Sequence, residues 1–295
     1  MRAAWLLSGI LAAASVSCCP QAATTEDPAK LVREVVYNEL QDHDHHGYFR
    51  YWIEQQRAGG TRLQEQVETA DGPVARTLMN NGQRLDAKGE ELEETRLREL
   101  KDSPADRASL RQSYRQDEDR LVRIVALLPD AFLYEDAGVE GGLRHLRFTP
   151  NPKYQAHGME DRVFQHLSGD LWVDMRLKRI RLMEGRLKDD LDFGMGLLGR
   201  VNKGSWIRMR RTQVTADEWK MDRLDIHLSG RALLFKTIAH DRSEARGGFE
   251  AVPARMSLEQ GLHVLEEPEA AGEVPRAGRN VPSTATIARA TKPGS

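Results

Sequence analysis

Residues 162–238 read RVFQHLSGDLWVDMRLKRIRLMEGRLKDDLDFGMGLLGRVNKGSWIRMRRTQVTADEWKMDRLDIHLSGRALLFKTI. Short apolar runs alternate with charges, and Gly or Asp punctuates them. In an extended chain Leu171, Val173 and Met175 point one way, and Trp172, Asp174 and Arg176 the other. Ile180 and Leu182 continue the pattern beside Arg179 and Arg181. Ile207 and Met209 alternate with Arg208 and Arg210, and Leu224, Ile226 and Leu228 with Asp225 and His227. A period of two marks strands with one buried face and one wet face. Several in a row, joined by tight turns, predict an antiparallel meander or an incompletely closed barrel.

Upstream, Tyr48 to Gln56, Arg62 to Thr69 and Val74 to Asn80 read as three more strands, with Gly59-Gly60 and Gly72-Pro73 in the turns. The aromatic residues Tyr48, Phe49, Tyr51 and Trp52 crowd the first of them and are expected to pack on the sheet. Asp27-Pro28 is a helix start, and Leu31, Val32, Val35, Val36 and Leu40 recur at helical spacing, so 28–41 is predicted as an amphipathic helix. From Asp86 to Leu128 the composition turns to Glu, Arg, Leu, Lys and Ala. Ser103-Pro104 divides this stretch into two charged helices inserted between strands, the second ending at Leu127-Leu128-Pro129-Asp130. A hairpin over 131–149 follows, then an irregular loop to about Asp161. A last strand runs toward Phe249, and Ser257 caps a short helix, Leu258 to Leu265.

The chain has 295 residues, 40% hydrophobic and 30% charged, with a net charge of −2. That balance gives no general attraction to nucleic acid or anionic membranes. Arg2 followed by the apolar run Ala3 to Val16 reads as a secretory signal, too short to span a bilayer comfortably. The two cysteines, Cys18 and Cys19, sit at the end of this leader, so the folded part carries no thiol. Ser15-Val16-Ser17 ahead of Cys18 partly matches a bacterial lipobox, with Ser15 where Leu is usual. Lipidation at Cys18 would anchor the protein to the outer membrane; cleavage after Ser17 or near Ala22 would release it into the periplasm. The expected organisation is therefore a leader at 1–23, one domain at 24–265 with a helical insertion at 86–128, and a disordered tail at 266–295.

Candidate chemistry is sparse. Asp42-His43-Asp44-His45-His46 offers five possible metal ligands in a row, but no spaced metal motif accompanies it, and a polar loop is the plainer reading. His145, His166, His227 and His240 are scattered, and no G-x-S-x-G motif is present. No cofactor, metal site or catalytic role is expected. The loop 192–204, DFGMGLLGRVNKG, carries the apolar side chains Met195, Leu197 and Leu198. They either protrude, as a membrane or cavity contact, or tuck into a strand bend with Gly as hinge.

Five segments carry a family likeness: Leu128-Pro129-Asp130-Ala131-Phe132, Arg147-Phe148-Thr149-Pro150-Asn151-Pro152, Gly169-Asp170-Leu171-Trp172-Val173-Asp174, Asp192-Phe193-Gly194-Met195-Gly196-Leu197-Leu198-Gly199, and Ala232-Leu233-Leu234-Phe235-Lys236-Thr237-Ile238. Through them, over about residues 28–265, the chain resembles exported bacterial proteins of the outer-membrane lipoprotein-sorting (LolA/LolB-like) superfamily. The resemblance implies an α+β fold, an open antiparallel half-barrel with helices on its concave side, and an apolar cavity for acyl chains. It implies a non-catalytic carrier whose partners are lipid or lipoprotein acyl chains. The charged insertion is larger than in plain LolA proteins. The alternative is a structural or regulatory envelope module that binds a protein partner without lipid cargo. Neither reading involves nucleic acid.

Overall fold

The computed structural model describes residues 26–45, 47–193, 199–232 and 236–266. Helix α1 (Pro28–His45) leads into strands β1 (Tyr48–Arg57), β2 (Gly60–Val67), β3 (Val74–Asn80) and β4 (Gln83–Arg84). Helices α2 (Ala87–Asp102) and α3 (Pro104–Ala131) are inserted next. They are followed by β5 (Phe132–Glu140), β6 (Leu143–Pro150), the short helix α4 (Met159–Arg162) and a 3-10 turn, Val163–Gln165. Then come β7 (Leu167–Asp174), β8 (Arg179–Leu187), β9 (Leu191–Phe193), β10 (Gly199–Val201), β11 (Trp206–Gln213), β12 (Trp219–Ala232), β13 (Lys236–Val252) and α5 (Leu258–Glu266).

The strands form one 13-stranded sheet in the order β4-β3-β2-β1-β13-β12-β11-β8-β7-β6-β5, with β9 and β10 as a side arm on β12. Every pairing is antiparallel. The fold is thus α+β with a large open antiparallel sheet, and the sheet does not close into a barrel: β4 and β5 remain its two ends.

Residues directly opposite across strands share a face, so the register defines an inner face. One row crosses it through Leu146, Leu171, Met183, Met209, Leu224, Glu244 and Gln55. The row is apolar until β13, where the buried Glu244 takes over. At the β5–β8 end this face packs on α1, whose stripe Leu31, Val32, Val35 and Val36 is 0–5% exposed. Each such side chain contributes about 1.5–3 kcal/mol by leaving water. Polar contacts also strap α1 to the sheet: Lys178 pairs with Glu34, Arg179 donates to the Asn38 carbonyl, and Glu39 accepts from the Ile180 backbone N–H at 2.9 Å.

Helices were expected on one side of the sheet, and the register corrects this. Val67 is opposite Arg50, whereas Phe49 and Tyr51 point the other way. Val67 and Val74 pack with Leu97 of α2 and Leu258, Leu262 and Leu265 of α5. At the β1–β3 end, α2 and α5 therefore cover the outer face, joined by Leu110 near the start of α3, while α1 and the later part of α3 belong to the inner one.

Other boundaries differ for physical reasons. Helix α1 continues through His45, so residues 42–45 are helical where a loop was expected. Pro129 lies inside α3 instead of ending it. Proline forfeits one helical hydrogen bond, but the last turn is held by buried Leu128 and Ala131 and by three donors. Tyr134 Oη donates to the Leu128 carbonyl at 2.8 Å, Asn151 Nδ2 to that of Asp130 at 2.8 Å, and Asn151 N to that of Ala131 at 2.9 Å. The insertion accordingly spans α2 and α3 to residue 131. Strand β7 stops at Asp174, whose side chain accepts from Arg176 N and Leu177 N, so Met175 and Arg176 lie in a turn.

Candidate functional site

A cavity of about 470 Å³ lies between the inner sheet face and the helices α1 and α3. Leu40 of α1 and Leu121, Val122 and Val125 of α3 form its helical wall. Ile180, Met209, Met221 and Trp219 form the apolar part of its sheet wall. The elements that enclose it are anchored beyond it. Toward its start α3 meets the β2–β3 turn, where Arg111 pairs with Asp71 at 2.6 Å and the Tyr114 side chain abuts Gly72. At its other end Leu128 and Ala131 join the core. Between these anchors the helix passes over the cavity. On the sheet, Ile207, Met209, Leu224 and Ile226 of the inner face stay half-buried.

One part of the cavity is polar. Tyr51, Gln66, Glu68, Lys220 and Arg246 project from the sheet, and Tyr114 and Glu118 from α3. The cations that line the cavity have acidic partners. Lys220 pairs with Glu68 at 2.9 Å, and Arg211 with Glu39. Arg246 binds Glu244 through Nε at 2.8 Å and Nη2. Glu244 also accepts from Arg242 Nη2 at 2.6 Å and Gln55 Nε2 at 3.2 Å, and is 1% exposed. Burial alone would raise its carboxyl pKa, but Arg246 and Arg242 outweigh that and hold it below the usual range. Tyr51 is 3% exposed; its oxygen accepts from Gln66 Nε2 at 2.6 Å, and the Arg246 guanidinium lies 5.8 Å from its ring centroid. Burial pushes the Tyr51 and Tyr114 phenols well above their ordinary pKa, so both keep their protons at neutral pH.

Of the residues singled out from sequence, Cys18, Met195, Leu197 and Leu198 lie outside the described residues. What is described of loop 192–204 is the arm made by β9 and β10, with Arg200 paired to Asp192 at 2.6 Å. The backbone of 42–45 is helical, and His46 lies outside the described residues. Among the described residues no His, Cys, Asp and Glu group could hold a metal ion. His145 stacks on Trp172 (centroids 4.5 Å apart) and binds Asp170 at 2.8 Å on the outer face, whereas His227 stacks on Trp206 three strands away. Each belongs to a separate packing group. Among the described residues no helix is long and apolar enough to cross a membrane.

The polar cavity residues were not singled out. The aromatic cluster on β1 was a partial signal, since Tyr51 belongs to it. Lys220 and Arg246 look like ordinary surface charges in sequence, because only the pairing of β1 with β13 carries Arg246 beside Tyr51.

No family model matches the chain, and no curated protein matches it. Among solved structures, a DUF1329 family protein from Desulfovibrio piger ATCC 29098 is a distant neighbour. It is 10% identical with a TM-score of 0.29, over 77% of this chain and 94% of that one.

Proposed function

We propose that the protein is an exported, non-catalytic envelope carrier that binds acyl chains of lipids or lipoproteins in the cavity beneath α3. The observation that carries this reading is the apolar cavity itself, about 470 Å³. Ligand sites are commonly about 300–1,000 Å³, mostly apolar, with a few placed polar groups. Each methylene moved from water into such a site contributes about 0.8 kcal/mol. The leader and the LolA-like resemblance point the same way. In this reading the open sheet is a LolA-like half-barrel, Cys18 is a site of lipid anchoring, and Met195, Leu197 and Leu198 form a membrane or cavity contact. Helix α1 is built into the core, so α3 is the element that yields to cargo.

A second reading, a module that binds a protein partner, draws support from the free edge strand β5, where Leu133 is 50% and Val139 77% exposed. An exposed strand edge can template pairing with another chain. Native mass spectrometry with lipid extraction, on protein purified from its own envelope, separates the two. Copurifying phospholipid or acylated protein supports the carrier. Lipid-free protein that also binds no apolar fluorescent probe, recovered with a stable protein partner, supports the module instead.

A further inference from the structure

We infer that the cavity takes an acyl chain as an ester or amide with an uncharged head, and that the Tyr51–Gln66 pair donates a hydrogen bond to its carbonyl. This rests on the carrier reading and narrows its ligand class.

The first argument is charge. The cavity is lined by three cations, Arg211, Lys220 and Arg246, and three carboxylates, Glu39, Glu68 and Glu118. Arg211, Lys220 and Arg246 each already hold a carboxylate. A free fatty acid would bring a fourth negative charge into a partly desolvated space with no lining cation left to neutralise it. Burying an unpaired charge is far costlier than burying a neutral acceptor.

The second argument is the supply of donors. Tyr51 is nearly inaccessible and lines the cavity, yet its hydroxyl makes one hydrogen bond among the described residues, as acceptor from Gln66. Its own proton therefore meets no acceptor. Rotating the Gln66 amide so that Tyr51 donates to Oε1 merely moves the spare donor to Nε2. Either way the pair offers one donor in a place where an unsatisfied polar group costs about 1–3 kcal/mol. Tyr114 brings a second phenol from α3 to the same polar region. Both phenols stay protonated at neutral pH, because burial raises them. Such donors serve a carbonyl oxygen without adding charge, while the already paired cations set the preference for a neutral head; the apolar wall of α3 beyond them suits the chain that follows it.

The test uses the purified protein with N-phenyl-1-naphthylamine as an apolar reporter. It is displaced below micellar concentration at pH 8 by 1-mono-oleoylglycerol or by oleate, which carry the same chain. The ester is expected to displace the reporter at a concentration at least about tenfold lower than the acid, because the acid alone brings an unpaired charge into the cavity. Tyr51→Phe should weaken the ester by about fivefold, the size of one hydrogen bond. Tyr114→Phe serves as a second variant and Tyr37→Phe, on the exposed side of α1, as the control. Oleate binding as tightly as the ester overturns the proposal and leaves the carrier reading intact. Ester binding unchanged in both the Tyr51 and Tyr114 variants overturns the assignment of the donor. Failure of reporter, ester and acid alike overturns the carrier reading together with this one.

Discussion

The Tyr114 side chain on α3 closes over Gly72 in the β2–β3 turn, so a methyl group at Gly72 would stand 2.9 Å from Tyr114 Cβ. Gly72 also has φ +114°, a conformation that side chains rarely adopt. This contact and the Arg111–Asp71 pair fix the first half of the helix that covers the cavity. Gly72→Ala is expected to cost about 1–3 kcal/mol, from backbone strain plus displacement of α3. Thermal unfolding should show a lower Tm. Hydrogen exchange should rise first in α3, around residues 110–118. Exchange rising uniformly instead would mean that this contact does not hold the helix.

Glu244 gives the sheet an acid-sensitive centre. Its carboxyl is held below the usual range by Arg246 and Arg242 against the opposing effect of burial. A depressed folded pKa means stability that is complete above the unfolded value, about 4.3, and is lost as the pH falls through the lower folded value. Glu244→Gln should destabilise by about 2–3 kcal/mol at pH 7, since two half-buried guanidinium groups lose a buried counter-charge. Urea unfolding should then show a shallower decline between pH 5 and pH 3 in the variant than in the wild type. Parallel declines would assign the acid sensitivity to other carboxylates, such as Glu93, whose carboxyl is also lowered: burial raises it, and Arg96 and the Thr77 N–H outweigh that.

The end of α3 depends on side chains from the following hairpin and the loop beyond it. Tyr134→Phe removes only the donor to the Leu128 carbonyl, and about 1 kcal/mol is expected. Asn151→Ala leaves the Asp130 carbonyl without its side-chain donor while keeping the backbone bond to Ala131, so its effect should be of the same size. Chemical denaturation resolves both. No loss in either variant would show that solvent replaces these donors.

Strand β8 shows how far the sequence could be read. Ile180 and Leu182 look like consecutive inward positions of one strand. In the sheet Val173 pairs with Ile180 and Trp172 with Leu182, leaving Arg181 as an extra residue. A bulge of this kind moves the following side chain to the other face. Ile180 is 4% exposed, whereas Leu182 faces outward beside Trp172. Ile180→Ala should cost about 2–4 kcal/mol and Leu182→Ala under about 1 kcal/mol. Equal losses in denaturant midpoints would mean the bulge is absent. The bulge is invisible locally because it arises from pairing with a neighbouring strand. The same reason hides the cavity. Period-two alternation announced the strands, and helical spacing announced α1 and the insertion, since those patterns are local. Tyr51, Tyr114, Lys220 and Arg246 meet only through long-range pairing and the path of α3, which no local period encodes.

The cavity also separates stability from binding. Val122 and Val125 of α3 face the space and are half-buried. Replacing either by Phe puts a larger apolar side chain into a void, where filling is commonly stabilising by about 0.5–2 kcal/mol if the rotamer fits. In a tightly packed core the same change would be destabilising by about 1–3 kcal/mol. Val125→Phe is therefore expected to keep or raise the Tm while weakening an apolar reporter by about tenfold or more, since the chain and the ring compete for one volume. A lowered Tm with unchanged reporter binding would show that the void is not the binding space. An unchanged Tm with binding lost would tie the cavity to ligand without invoking any change in fold.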